Sequence, residues 1–90
     1  MLNIIETLRE RGTLPYFEIE LKKGGFMLYS IEEEATGKLL AKREPITKAE
    51  EESDYISYVG IDVDPEFSID ENLQALYEEC IYDLIDNDLI

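Results

Sequence analysis

PYFEIELKKGGFMLYSIEEEATGKLLAKR, residues 15–43, decides the architecture. From Pro15 onward the apolar residues Phe17, Ile19 and Leu21 alternate with Glu18, Glu20 and Lys22. A period of two gives a strand one buried and one wet face. Lys23-Gly24-Gly25 then offers paired glycines, which accept the positive φ that tight two-residue hairpin turns require. Residues 26–33 return as a second strand, Ala35-Thr36-Gly37-Lys38 makes a second turn, and residues 39–43 form a third strand. Pro45 limits that strand because it has no N–H to contribute to a ladder. An antiparallel meander follows.

On the N-terminal side, Leu2, Ile4, Ile5 and Leu8 share one helical face while Asn3, Glu6, Arg9 and Glu10 lie elsewhere, and Gly12 stands where a C-terminal cap belongs. On the C-terminal side, residues 47–54 have no apolar anchor and read as an exposed, mobile loop. Tyr55, Ser57, Val59, Ile61 and Val63 then alternate with Ile56, Tyr58, Gly60, Asp62 and Asp64, a fourth strand that Pro65 ends. Ile56 and Tyr58 make its second face partly apolar.

Ser68 and Glu71 have the spacing of a capping box, in which hydroxyl and carboxylate each satisfy an orphan backbone donor of a helix start. Leu73, Leu76, Tyr77, Cys80, Ile81, Leu84 and Ile85 follow as a wide apolar stripe suited to covering a sheet. Asp70, Glu71, Glu78, Asp83 and Asp86 fall off it. The expected fold is a small single α+β domain over residues 1–90 of order α-β-β-β-β-α, an antiparallel sheet of about four strands covered on one face by both helices.

The 90 residues hold 22 Asp or Glu against 8 Lys or Arg, a net charge of −14, with no His, no Trp and one Cys, yet 44% are hydrophobic. All the bases lie in residues 1–48, balanced there by eight acids, so residues 49–90 carry fourteen acids and no base. Because those acids are interleaved with periodic apolar residues, the asymmetry marks a folded interaction surface rather than a solvated tail. It also crowds the negative end of the last helix with Asp83, Asp86 and Asp88, each mismatch costing about 0.3–1 kcal/mol at low salt. Glu79 with Asp83 adds a like-charge pair one turn apart.

Catalytic chemistry is largely excluded. The one form left open is carboxylate chemistry at Asp62 and Asp64, which share a strand face, although two acids at a strand end are far more often simply solvated. Without His, and with Cys80 in the apolar stripe, neither a triad nor an imidazole base can be assembled, and no phosphate-binding glycine motif is present. The run Asp62-Val63-Asp64-Pro65-Glu66-Phe67-Ser68-Ile69-Asp70 has the alternating oxygens of a calcium loop, but Phe67 occupies the glycine position and Leu73 that of the bidentate glutamate. No cofactor or metal is expected. Direct nucleic-acid binding is disfavoured because affinity there comes from Lys and Arg displacing counterions, and acidity disfavours anionic membranes.

What remains is a non-enzymatic acidic inhibitor or binding protein docking on a basic partner, in particular a nucleic-acid-handling enzyme. The expected contacts are Glu50, Glu51, Glu52 and Asp54 in the loop, and Glu78, Asp83 and Asp86 on the outer face of the last helix with Tyr82 as anchor, since tyrosine supplies contact area at low entropic cost. The helix alone presents about one charge per 4 Å against one per roughly 1.7 Å in duplex DNA. Imitation of a duplex therefore needs all fourteen carboxylates on one face. In size and charge the chain resembles small acidic proteins of phages and mobile elements that block restriction, CRISPR or DNA-repair enzymes. An immunity or antitoxin protein against a cationic toxin would have the same surface, and a homodimeric structural module joined through a strand edge or apolar patch is a further alternative. A single Cys and the lack of a basic, apolar leader in residues 1–6 fit a cytoplasmic protein.

Overall fold

The computed structural model describes residues 3–52 and 57–90. Its order is α1 (Ile4–Glu10), β1 (Tyr16–Glu20), β2 (Phe26–Glu33), β3 (Lys38–Arg43), α2 (Lys48–Glu52), β4 (Ser57–Asp62) and α3 (Ile69–Asp86). The four strands form one antiparallel sheet in sequence order, and α1 and α3 cover one of its faces, as the sequence pattern predicts.

The hairpin glycines work as expected, with φ of 94° at Gly24 and 79° at Gly25. The loop they close is one residue longer than a two-residue turn. Leu21 N–H donates to Gly25 O and Gly24 N–H to Leu21 O, both at 3.0 Å.

Odd-numbered residues of β1, β2 and β3 point at the helices, and those of β4 do likewise. Ile19, Tyr29, Ile31, Leu39 and Ala41 meet Ile4 and Leu8 of α1 and Leu76, Cys80 and Leu84 of α3 in one core. Full burial of one such aliphatic side chain is worth about 1.5–3 kcal/mol. Phe17 of β1 meets Tyr77 of α3 edge to face, ring centroids 5.4 Å apart, a geometry that aligns ring edge with ring face.

Both long-range helix ends close the same way. In α1, Thr13 N–H donates to Leu8 O and Gly12 N–H to Arg9 O, with Gly12 at φ 73°. In α3, Leu89 N–H donates to Leu84 O and Asp88 N–H to Ile85 O, with Asp88 at φ 60°. These are Schellman motifs, one ended by the glycine such a site favours and the other by an aspartate in the left-handed region. At the other ends, Asn3 caps α1 and the Ser68–Glu71 capping box forms as predicted.

Two expectations need correction. Residues 48–52 are not a loop: they form α2, whose start is fixed by Glu50 N–H donating to Thr47 Oγ1 at 3.1 Å. Thr47 and Glu50 have capping-box spacing. The second concerns the orientation of α3. Its buried residues Asn72, Leu76, Cys80 and Leu84 run at strict four-residue spacing, a line rotated roughly 60° from the centre of the apolar stripe at 3.6 residues per turn. The rotation leaves Ile85 outside, 52% exposed, and turns the Asp83 side of the helix inward.

Neither α1 nor α3 covers the opposite face of the sheet. That face carries Tyr16, Phe26, Leu28 and Tyr58, all exposed, among Glu18, Glu20, Glu32, Lys38, Lys42 and Asp62. Leu40 is buried on this face by lying over Gly60 of β4, whose hydrogen leaves room for it: a Cβ there would stand 2.7 Å from Leu40 Cδ2.

Candidate functional site

The inward turn of α3 explains the polar cluster at the end of the sheet. Arg43, the last residue of β3, points at the helices and keeps only 4% of its side-chain surface exposed. Its Nε donates to Asp83 Oδ2 at 2.6 Å and its Nη2 to Asp83 Oδ1 at 3.2 Å, a two-point fork matched to a carboxylate. Its Nη1 donates to Glu50 Oε1 at 3.0 Å and to Glu44 O at 3.0 Å. Tyr29 Oη donates to Asp83, Asn87 Nδ2 to Asp83 O, and Ser57 Oγ to Glu50 Oε1. One guanidinium thus ties β3, α2 and α3 together, with β2 and β4 contributing hydroxyls.

Burial alone would raise the Asp83 carboxyl, but the hydrogen bonds from Arg43 and Tyr29 overcome it and hold the group below the usual carboxylate range. Glu50 is lowered too, first by Ser57 and then by Arg43. Tyr29 is pushed up by burial and by its bond to Asp83, and burial, with Asp83 and Glu79 nearby, pushes the Cys80 thiol up to about 12. Cys80 is therefore protonated and inert at neutral pH. No buried side-chain polar atom among the described residues lacks a partner. The cluster is a cross-brace, and the chemistry it can do is structural.

This geometry sorts the expected contact residues. Asp83 is not on the outer face: its side chain is 17% exposed and braces Arg43. Glu50 is likewise turned to Arg43 and Ser57. Asp54, with Tyr55, lies outside the described residues. Glu51, Glu52, Glu78, Tyr82 and Asp86 are exposed as expected, and Glu51 lines an open groove of about 780 Å³ with Phe26, Leu28, Glu44 and Pro45.

The charge split between the halves is also partly cancelled in space. Arg11 pairs with Asp70 at 3.0 Å, Lys22 with Asp88 at 2.5 Å, and Arg43 with both Glu50 and Asp83. Bases of the first half thus reach four carboxylates of the second. The crowded end of α3 is relieved in this way by residues 40 and 66 positions distant. A continuous array of fourteen carboxylates on one face is therefore not formed. Glu78, Glu79 and Asp86 form no ion pair among the described residues, and they flank Tyr82, 58% exposed, and Ile85 on the outer surface of α3.

Asp62 stands on the open sheet face opposite Lys38, and Asp64 accepts from Glu66 N–H in the turn before α3. No group of three or more metal-ligating side chains occurs among the described residues. No helix there is long and apolar enough to cross a membrane. Comparison of the chain with protein-family models, with curated proteins and with solved structures gives no match.

Proposed function

We propose that this chain is a non-enzymatic acidic binding protein that docks the outer face of α3 on a basic, nucleic-acid-handling partner and blocks it. The observation that carries the reading is the composition of that face: two exposed apolar side chains, Tyr82 and Ile85, bordered by Glu78, Glu79 and Asp86. A large amphipathic anchor ringed by charge is the arrangement of an interface centre with its polar rim. The carboxylates steer encounter with a cationic surface, and the apolar pair supplies contact area once water is expelled.

With four carboxylates spent on internal ion pairs, the surface works as a compact acidic patch around an apolar anchor and not as a duplex-length phosphate ladder. Charge reversal at Glu78→Lys, Glu79→Lys and Asp86→Lys tests it. Pull-down of a basic protein by the parent chain, and its loss in this variant at unchanged circular dichroism, is the expected result. Equal capture by both proteins would refute the proposal. Asp83 is left out of the variant because its reversal would unfold the cross-brace.

A further inference from the structure

β2 is eight residues long, but its neighbours cover different halves of it. β1 pairs with Phe26–Ser30, whereas β3 pairs only from Ser30, opposite Lys42, to Glu33. Arg43 carries the register on to Tyr29; beyond it the chain leaves through Pro45 to α2, and no described residue takes the strand position beside Phe26–Leu28.

The hydrogen-bond parity of the ladder says which groups face that vacancy. Ile31 N–H donates to Pro15 O and Leu21 N–H to Gly25 O, so odd residues of β2 bond to β1. Glu34 N–H donates to Lys38 O, so even residues bond to β3. Phe26 and Leu28, both even, therefore aim their N–H and C=O groups at the empty strand position, where no described residue receives them. Unpaired strand edges are templates for another strand, and β1, the other exposed edge on this side, is flanked by Glu18 and Glu20.

The vacancy is the groove of about 780 Å³ described above. Its floor offers Phe26, 60% exposed, and Leu28, 52% exposed. The acids that line it are Glu44 and Glu51, with Glu50 of the cross-brace beside them. The base among the lining residues that is not in the cross-brace, Lys42, is paired with Glu32 at 2.7 Å.

We propose that this groove binds an extended basic peptide, with Lys or Arg alternating with apolar residues, which adds to β2 as a strand in the position β3 vacates after Arg43. Backbone bonds to Phe26 and Leu28 fix the register of the peptide, its apolar side chains cover theirs, and its cations answer Glu44 and Glu51. At about 3.3 Å per residue, the vacated stretch Phe26–Leu28 takes three residues of peptide, the rest of a longer peptide extending past it. The site lies at the β2–β3 edge beside α2, away from the outer surface of α3 that carries Tyr82 and Ile85, and it stands or falls separately from the function proposed for that surface.

The test is a titration of the isotope-labelled protein with the acetylated, amidated peptide Lys-Val-Lys-Val-Lys-Val, followed by amide shifts and hydrogen exchange. Saturable shifts centred on Phe26 and Leu28, with their amides becoming protected, are expected. The double variant Glu44→Lys/Glu51→Lys should bind roughly tenfold or more weakly, as should Phe26→Ser, a substitution at an exposed position that leaves the acids in place. The variant Glu78→Lys/Asp86→Lys should bind as the parent does. Shifts centred on α3, equal binding of a Glu-Val-Glu-Val-Glu-Val peptide, or no saturation would overturn the proposal. So would protection of the Phe26 and Leu28 amides that rises with protein concentration and needs no peptide, because a second copy would then fill the groove.

Discussion

Replacing Arg43 by Met removes the charge of the cross-brace while keeping most of the side chain's length. Asp83 is then left 17% exposed with Tyr29 and Asn87 as donors but no cation. Removing one partner of a buried ion pair costs about 3–5 kcal/mol. The surviving donors and the residual exposure place Arg43→Met near the lower end, about 3 kcal/mol. That is a large share of the 5–15 kcal/mol typical of a whole domain. Urea unfolding followed by circular dichroism should show the midpoint falling by roughly 1–3 M, given slopes of about 1–3 kcal/mol/M.

The pH dependence carries the sharper signature. In the parent, the Asp83 carboxyl is lowered, so its stabilising contribution is present above its unfolded pKa of about 3.9 and is lost as pH falls through the lower folded value. In Arg43→Met, burial acts without the cation and raises the folded pKa. Stability is then fully present below the unfolded pKa and lost as pH rises through the folded one. The gap between the two proteins should therefore be widest near neutral pH and narrow as pH is lowered towards about 4. Comparing the two proteins removes the repulsion of the net −14 charge, which both share nearly equally. The double variant Arg43→Met/Asp83→Leu should recover most of the loss, because apolar pairs of similar volume replace buried ion pairs with little penalty. A loss below about 1 kcal/mol at pH 7, constant with pH, would show that the brace contributes nothing beyond a surface ion pair.

Asp88→Gly should stabilise the protein by about 0.5–1 kcal/mol, relieving the left-handed φ of 60° while giving up only the exposed pair with Lys22; a loss in thermal midpoint would contradict this. Gly60→Ala should destabilise by about 1–3 kcal/mol, since its Cβ collides with the buried Leu40 side chain, and Gly60→Ala/Leu40→Ala should show less than the sum of the single effects. Cys80, with its thiol raised to about 12, should react with a thiol reagent at pH 8 only as fast as the protein unfolds, so reaction at the rate of a free thiol would place it outside the core.

Elements whose signals are local were legible in the sequence. Alternation identified the meander, and the Ser68–Glu71 spacing with the apolar recurrence after Leu73 identified α3. Asp83 and Glu50 are turned inward by the same cation: Arg43 lies 40 positions from Asp83, so no window along α3 contains it, and it lies only seven positions from Glu50, but in a strand whose buried face the acidic run after it does not reveal. The pattern from Leu73 to Ile85 fixes which residues prefer burial but not the angle at which the helix lands. That angle is set by Asn72, whose side chain bonds to Asp64 and Ser68 backbone oxygens, and by the fork on Asp83. For α2 the signal was present, since Thr47 and Glu50 have capping spacing, but four charged residues and one alanine lack the apolar periodicity that marks a helix. The vacated edge of β2 was hinted at by lengths alone: β2 extends beyond β3, and Pro45 stops β3 from following it.

The proposed role of the α3 surface is tested most directly by competition. The basic protein captured by the immobilised chain is challenged with duplex DNA at low salt and, separately, with about 0.5 M salt, where exposed charge pairs are largely screened. Release by both treatments, together with failure of Glu78→Lys/Glu79→Lys/Asp86→Lys to capture it at all, is the predicted result. A complex that persists in duplex DNA and high salt, or forms equally with the charge-reversed variant, would contradict it.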